Sequence, residues 1–379
     1  MAGWAAPDDR QTTVRAEPVE ALHFPGSERE KERASTSSAR TEKRLPVSDD
    51  MTMFEELRRH HVDLAQPRLG SEVVFATDDF FADKSRLIDP AEPVFVPGKY
   101  DENGKWMDGW ESRRKRVPGH DWCVIRLGAA GMVAGFEIDT RHFTGNYPPE
   151  AQIELCRSGE AVPEQGWAEA TKRIALNGDD RVFVAAAQGG PATHVRLHIY
   201  PDGGVARLRV WGRVAKDWSR VGADERVDLL AMENGGRGII ANDEHYGRIG
   251  NLTAPGRGSD MGDGWETRRR REPGHDWAVL ELGAAGRIEE AIVDTAHFKG
   301  NYPDRCFLQA AAAAAGSPEE IAEASAAWPL LLPESKLEAD KVHVFRDGLA
   351  DLGPVRFVRL NIVPDGGVSR LRLIGRVAS

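Results

Sequence analysis

The chain has 379 residues, of which 41% are hydrophobic, and it carries 50 Lys and Arg against 60 Asp and Glu, a formal net charge of −10. This length predicts two or three domains, each large enough to bury its own core. The acidic balance argues against nucleic-acid binding, no stretch approaches the roughly 18 apolar residues of a membrane span, and three cysteines cannot form a disulfide framework.

Residues 1–52 differ in composition from the rest of the chain. Residues 27–44 are charged and rich in Ser and Thr, without an apolar period, so they cannot bury enough surface to offset their ordering entropy. We predict that this extension is disordered; the alternative is that it is spurious and that translation starts at Met51 or Met53. A signal peptide is not expected either, and together with the cysteine content this predicts a cytoplasmic protein. From Met53 the apolar residues predict a short helix that leads into an extended segment.

The chain contains one sequence twice. Residues 108–148 and 263–303 align without gaps, with 26 of 41 positions identical, and the match continues in residues 195–214 and 358–377. Each unit is roughly 145 residues long, which is too long for a solenoid repeat and is the size of a whole domain. We place the first repeat at 53–214 and the second at 236–379, with 215–235 as a linking helix that ends at a glycine.

Within each repeat the apolar pattern predicts short strands. Residues 122–127 and 132–139, separated by Gly-Ala-Ala-Gly, predict a hairpin. Residues 194–199 alternate polar and apolar side chains, as in a half-buried strand, and Pro-Asp-Gly-Gly at 201–204 predicts a turn. The many strands and Gly/Pro turns predict an all-β fold with one antiparallel sandwich per repeat, and we favour the jelly roll.

Polar residues that recur in both repeats are candidates for catalysis. His-Asp-Trp at 120–122 recurs at 275–277, and Asp-x-x-His at 139–142 recurs at 294–297. Histidine with carboxylate suits an acid–base pair or a divalent metal site, although no metal ligands are assigned. The structural alternative is a turn in which Asp bonds its own backbone. The predicted catalytic residues are His120, Asp121, Asp139, His142, His275, Asp276, Asp294 and His297.

A second set of recurring residues fits the binding of a small polar anion. An Asn amide both donates and accepts hydrogen bonds, and an Arg fork binds a carboxylate with two parallel hydrogen bonds. Turn formation by the Asn and Asp residues, and a solvated salt-bridged face for the Arg residues, are the alternatives. The predicted substrate-binding residues are Asp78, Arg113, Asn146, Arg207, Asp243, Arg268, Asn301 and Arg370.

Over residues 54–379 the chain resembles the allantoicase family. The resemblance is carried by GKWMDGWESRRKR, PGHDW, IDTRHFTGNYPP and IYPDGGVARLRVWG, and by their second copies MGDGWETRRRR, PGHDW, VDTAHFKGNYP and VPDGGVSRLRLIG. It implies two galactose-binding-like jelly-roll repeats. It also implies hydrolysis of allantoate to ureidoglycolate and urea in purine breakdown. Allantoate is then the small-molecule partner, and we expect a homo-oligomer.

That reaction fits the recurring residues. The carboxylate of allantoate calls for Arg113 or Arg207, and cleavage of the C–N bond calls for an acid and a base. We hypothesise that His120 or His142, with a neighbouring Asp, supplies them. The alternative is a tandem jelly-roll protein that binds carbohydrate or another small ligand without catalysis. The recurring charged cluster favours a small anion over a neutral sugar.

Overall fold

The computed structural model describes residues 58, 60–187 and 190–378. The extension predicted at 1–52 and most of the helix predicted after Met53 lie outside these residues, although Arg58 and His60 are helical. No helix among the described residues is long and apolar enough to cross a membrane. The all-β prediction is confirmed, because strands dominate and one helix, Pro318–Ser325, is described in full. Short 3-10 helices are Pro67–Leu69, Lys84–Ile88, Trp218–Arg220, Met232–Asn234, Ile249–Thr253 and Met261–Asp263.

The two repeats contain matching sets of strands. Those of the first repeat are β1 (Val62–Asp63), β2 (Glu72–Ala76), β3 (Tyr100–Asp101), β4 (Gly104–Lys105), β5 (Trp110–Glu111), β6 (Asp121–Asp139), β7 (Glu150–Cys156), β8 (Trp167–Glu169), β9 (Ile174–Ala175), β10 (Arg181–Ala185), β11 (Ala192–Tyr200), β12 (Gly204–Val205) and β13 (Arg207–Val214). Those of the second are β14 (Val227–Asp228), β15 (Arg237–Ala241), β16 (Trp265–Glu266), β17 (Asp276–Asp294), β18 (Arg305–Ala311), β19 (Leu330–Lys336), β20 (Val342–Phe345), β21 (Val355–Val363), β22 (Gly367–Val368) and β23 (Arg370–Val377).

Strand β6 runs through both sheets of the first repeat. Its first half pairs with β2 and β11, with Ile199 opposite Asp121, and its second half pairs with β10 and β13, with Arg207 opposite Asp139. The chain from Ile199 to Arg207 can span at most about 30 Å, whereas a straight strand of 19 residues would be about 60 Å long. Therefore β6 doubles back, and both of its ends lie at the same end of the sandwich.

The predicted hairpin at 122–139 is wrong, because its two arms pair with different strands and not with each other. The glycines between the arms allow the chain to cross from one sheet to the other at close quarters. A Cβ on Gly128 would lie 1.9 Å from the carbonyl oxygen of Leu69, and one on Gly131 would lie 2.4 Å from a methyl group of Leu64. The Gly-Ala-Ala-Gly segment is thus a corner of the sandwich, and β17 repeats it in the second half.

Each repeat encloses one apolar core between its two sheets. In the first repeat Ile125, Leu197 and Leu208 are fully buried in that core, and their neighbours along each strand face outward because side chains alternate. Trp110 and Trp265, which recur in the sequence, are both completely buried. Two tandem sandwiches of the predicted class are therefore present.

The linking helix predicted at 215–235 is wrong. This segment forms two short 3-10 helices and strand β14, which pairs with β23 of the second repeat. The carboxylate of Asp228 accepts hydrogen bonds from the backbone of Leu230 and Leu373, so it holds the segment against the sheet edge. Asp63 does the same for β1 in the first repeat. The segment therefore opens the second sandwich, and its helical apolar spacing is overridden by strand pairing.

Candidate functional site

Loops from four parts of each repeat meet where the two ends of its long strand meet. In the first repeat the backbone N–H of Ser112 donates to Gly203 O at 3.1 Å, and that of Gly204 donates to Asn146 O at 2.7 Å. The second repeat makes the equivalent bonds at 3.1 and 2.8 Å. Most of the residues predicted from the sequence lie around this end of the sandwich, which we call the loop end.

Asp78 and Arg113 form a clamp at the loop end. One oxygen of the Asp78 carboxylate accepts the Arg113 backbone N–H at 3.0 Å, and the other accepts its guanidinium Nε at 2.6 Å. Asp243 and Arg268 repeat the arrangement at 3.1 and 2.8 Å. The Arg113 and Arg268 side chains are 62% and 67% exposed. The clamp thus fixes an arginine whose outer edge faces solvent.

The carboxylates of the clamp are charged at neutral pH. Burial raises the pKa of Asp78, but hydrogen bonds from the Arg113 side chain and backbone outweigh burial and hold that pKa below its usual value. Asp243 has a lowered pKa for the same reasons. Neither Asp is therefore suited to act as a general base near pH 7, and both serve to orient the arginine.

Asp121 and Asp276 hold the basic loop that follows the clamp. Asp121 is buried, and one of its oxygens lies 2.7 Å from both Thr77 Oγ1 and Lys115 Nζ. Asp276 accepts hydrogen bonds from the Asn242 amide at 2.6 Å and from the Arg270 guanidinium at 2.8 Å. Both carboxylates thus anchor a cationic loop.

In the second repeat this basic loop opens onto a cleft of about 480 Å³. Four consecutive arginines, residues 268–271, line it together with Asn242, Asp243, Glu272 and Asp276. The charge of the cleft favours a small anion.

The recurring Asp-x-x-His residues do not come together as one site. Asp139 is engaged by the guanidinium of Arg141, with Nε at 2.9 Å from its carboxylate, and Asp294 is engaged by Arg257 at 3.2 Å. No group of three or more His, Cys, Asp or Glu side chains in the described part of the chain is arranged to hold a metal ion.

His142 and His297 each bind a loop that precedes the short strand carrying the buried tryptophan, β5 in the first repeat and β16 in the second. His142 Nε2 lies 3.1 Å from Pro93 O, and His297 Nε2 lies 2.8 Å from Gly258 O. Both histidines have left-handed backbone, with φ of 71° and 70°, and each donates its backbone N–H to an Asp carboxylate. Their ring nitrogens therefore fasten a loop.

Arg207 and Arg370, predicted to bind substrate, are buried and fully engaged. Arg207 donates to Ala91 O at 2.9 Å, to Asp108 O at 3.1 Å and to the Asp108 carboxylate at 2.9 Å. Arg370 makes the corresponding bonds with Gly256 and Asp263. The two guanidinium groups therefore hold the loops of the loop end together, and they are not placed to contact a ligand.

Asn146 and Asn301 also make cross-loop contacts. The Asn146 amide donates to Glu111 Oε1 at 2.6 Å, and Asn301 donates to Glu266 in the same way. These amides join the loop after the long strand to the strand that carries the buried tryptophan. They hold the loop end together beside the clamps.

His120 points away from Asp121, onto the outer face of the sheet, where it meets two residues that we did not predict. His120 Nε2 lies 2.9 Å from His198 Nδ1, and His198 Nε2 lies 2.8 Å from Glu154 Oε2. Neither residue recurs, because Asn361 and Gln309 take their places in the second repeat. The signal available was the ionisable outward face of the alternating segment 194–199.

Comparison with known proteins agrees with the duplicated architecture. The family model described as "Allantoicase repeat" matches residues 62–215 and 227–378. The chain is 51% identical over 333 residues to "Probable allantoicase 1" of Burkholderia mallei (87% of this chain, 98% of the relative). It is 53% identical over 317 residues to "Probable allantoicase" of Photobacterium profundum (83% and 96%). The crystal structure of the Saccharomyces cerevisiae allantoicase superposes with a TM-score of 0.72 at 35% identity (86% and 97%). The chain therefore belongs to the allantoicase family.

Proposed function

We propose that this chain hydrolyses allantoate to ureidoglycolate and urea, and that the loop end of the sandwich binds the substrate. The observation that carries the proposal is the Asp–Arg clamp, which both repeats build with the same contacts. An oriented guanidinium with an exposed edge can bind a carboxylate through two parallel hydrogen bonds. Family membership supports allantoate hydrolysis as the reaction, and the clamp supports the loop end as the place where the substrate binds.

The surroundings of the clamp match the rest of the substrate. Allantoate carries one carboxylate and two neutral ureido groups, so its recognition needs one strong cation and several donors and acceptors. Beside Arg113 the side chains of Arg114 and Arg116 can supply donors, and Asp121 fixes the position of this loop through Lys115. His120 directly precedes Asp121 in the chain, so it follows on from this anchored loop.

The test is turnover by the purified full chain. We expect allantoate to yield urea and ureidoglycolate in equal amounts. Prior chelation by EDTA decides the metal question, because loss of turnover restored by a divalent cation would assign a metal to the reaction. Absence of turnover in a folded chain that still binds a ureide or sugar by calorimetry would instead support the binding-protein alternative.

We also propose a cytoplasmic homo-oligomer that binds neither nucleic acid nor membrane. All three cysteines, Cys123, Cys156 and Cys306, are free and buried, which suits a reducing compartment. Cell fractionation tests the location, and sedimentation velocity tests the assembly. A single species at the monomer mass over the micromolar range would contradict the oligomer.

A further inference from the structure

The first repeat carries a continuous hydrogen-bonded chain from a carboxylate to a histidine beside the loop end. Glu154 accepts from His198 Nε2, so this nitrogen carries the hydrogen and His198 Nδ1 is left as an acceptor. His120 Nε2 must then donate to His198 Nδ1. This order assigns an unprotonated Nδ1 to His120, which is the form a general base requires.

The surroundings of the two histidines keep this arrangement ordered. The His120 ring packs on Tyr200 with centroids 4.4 Å apart, and Tyr200 donates its hydroxyl to Gln152 at 3.0 Å. Arg196 holds Glu154 with Nε at 2.8 Å. Burial lowers the pKa of His198 and of His120, so both rings are neutral at pH 7.

The second repeat has the same starting histidine and a different continuation. His275 Nε2 lies 3.0 Å from the Asn361 side-chain oxygen, and the Asn361 amide donates to Gln309 at 3.1 Å. A neutral amide chain has no carboxylate to balance a proton taken up by the histidine. Asn361 is completely buried, whereas the His198 side chain is 12% exposed.

The helix Pro318–Ser325 seals this face of the second repeat. Ser325 Oγ and Ala322 O accept from the Arg359 guanidinium at 2.8 and 3.2 Å, and Ile321 packs against Val279. Arg359 corresponds to Arg196, which instead holds the carboxylate of Glu154. The same face of the sheet thus carries ionisable side chains in the first repeat and is packed against a helix in the second.

We propose that allantoate is cleaved in the first repeat, with His120 as the general base and with His198 and Glu154 as residues that position and charge-balance it. The second repeat keeps the clamp and lacks this chain of ionisable groups. The inference rests on the proposed function, because it assigns that same reaction to one of the two loop ends.

In the proposed reaction His120 takes one proton from water and later returns it to the leaving group. The oxygen of water bonds to the central carbon of allantoate as His120 Nδ1 takes one proton from that water. The bond from this carbon to one ureido nitrogen breaks, and the imidazolium returns the proton to that nitrogen, which leaves as neutral urea. The remaining fragment is ureidoglycolate.

Charged groups on every side bear on the proton affinity of the pair. The charges of Lys115, Asp121 and Arg173 act on His120. Glu154 and Arg196 face His198. Among these, Glu154 stabilises the cationic form through a direct hydrogen bond, so its removal should make the pair harder to protonate.

The first experiment compares matched variants in allantoate turnover. We expect His120→Asn to lower kcat by about 100-fold or more and to lower it at least 10-fold further than His275→Asn does. His194→Asn, which removes a histidine from the same face of β11 without touching the pair, is the control. Equal losses in His120→Asn and His275→Asn would overturn the proposal, whereas failure of the wild-type chain to turn over allantoate would remove the proposed function itself.

The second experiment separates proton transfer from mere structure. Glu154→Gln reproduces the residue of the second repeat, so the fold should accept it. We expect the acidic limb of the kcat/KM profile to move to lower pH, and the NMR titration of the two histidines to move with it. An unchanged limb together with unchanged histidine titrations would overturn the role of Glu154.

Discussion

Arg68 of the first repeat forms an ion pair with Asp263 of the second, with a nitrogen and an oxygen 2.8 Å apart. The geometry is not that of a hydrogen bond, so the attraction is electrostatic. The other oxygen of Asp263 accepts from Arg370, also at 2.8 Å. Leu69, Met232 and Ala254 form a small apolar cluster from both repeats. One carboxylate thus serves the contact between the repeats and the loop end of the second.

Replacing the two partners of this pair should have unequal costs. Arg68→Ala should lower the free energy of unfolding by about 1 kcal/mol, because Arg68 is 31% exposed and Asp263 keeps Arg370. Asp263→Asn should cost about 3–5 kcal/mol, because the buried Arg370 then has no anion. Urea unfolding measures both, with Arg126→Ala at the exposed pair with Glu72 as the control. Equal costs at Arg68 and Asp263 would contradict this account.

Arg207→Lys should affect stability more than substrate affinity. Lysine cannot reproduce the several hydrogen bonds that the buried guanidinium makes, so we expect unfolding to become easier by about 3 kcal/mol. The KM for allantoate should stay within about twofold of the wild type at temperatures where the variant is folded. A large rise in KM with unchanged unfolding would restore Arg207 as a substrate ligand.

Arg113→Gln and Arg268→Gln should separate catalysis from binding. Loss of a charge-assisted hydrogen bond of about 1.5–3 kcal/mol should raise the KM of Arg113→Gln by about 10- to 100-fold. Arg268→Gln should leave KM nearly unchanged and remove one of two binding sites seen by calorimetry with allantoate. Arg126→Gln is the matched exposed control, and a rise in KM as large as this in the control would refute the clamp.

Acid should destabilise the chain through three histidines of the first repeat. Burial lowers the pKa of His120, His194 and His198 from the ordinary value of 6.5. The unfolded chain then binds more protons than the folded chain below pH 6.5, so stability is present above that pH and is lost as pH falls through it.

Urea unfolding at pH 7, 6 and 5 measures this loss. His194→Gln should flatten the dependence by up to about 1.4 kcal/mol per pH unit, the effect of one proton. An identical slope in wild type and variant would show that His194 does not take part.

The duplication made much of the site predictable, because residues that recur in both repeats stand out. For the same reason, it could not identify residues that occur in only one repeat. Asp78 and Arg113 were both singled out because they recur, and they touch each other. The burial of Arg207 was not predictable, since its acceptor Ala91 lies 116 residues away along the chain. His198 could not be predicted from recurrence, because a different residue stands at the equivalent position of the second repeat. The corner in β6 was mistaken for a hairpin because local spacing does not reveal which strand each arm pairs with.

The pairing of first with last strands has a consequence for biosynthesis. Val62 lies opposite Gly212 and Val227 lies opposite Gly375, so each sandwich is closed by the strand that leaves the ribosome last. Neither repeat can complete its sheet while its last strand is still in the exit tunnel. The second repeat closes only after β23 has left the tunnel, and a ribosome that stalls before then would hold a finished first repeat beside an open second one.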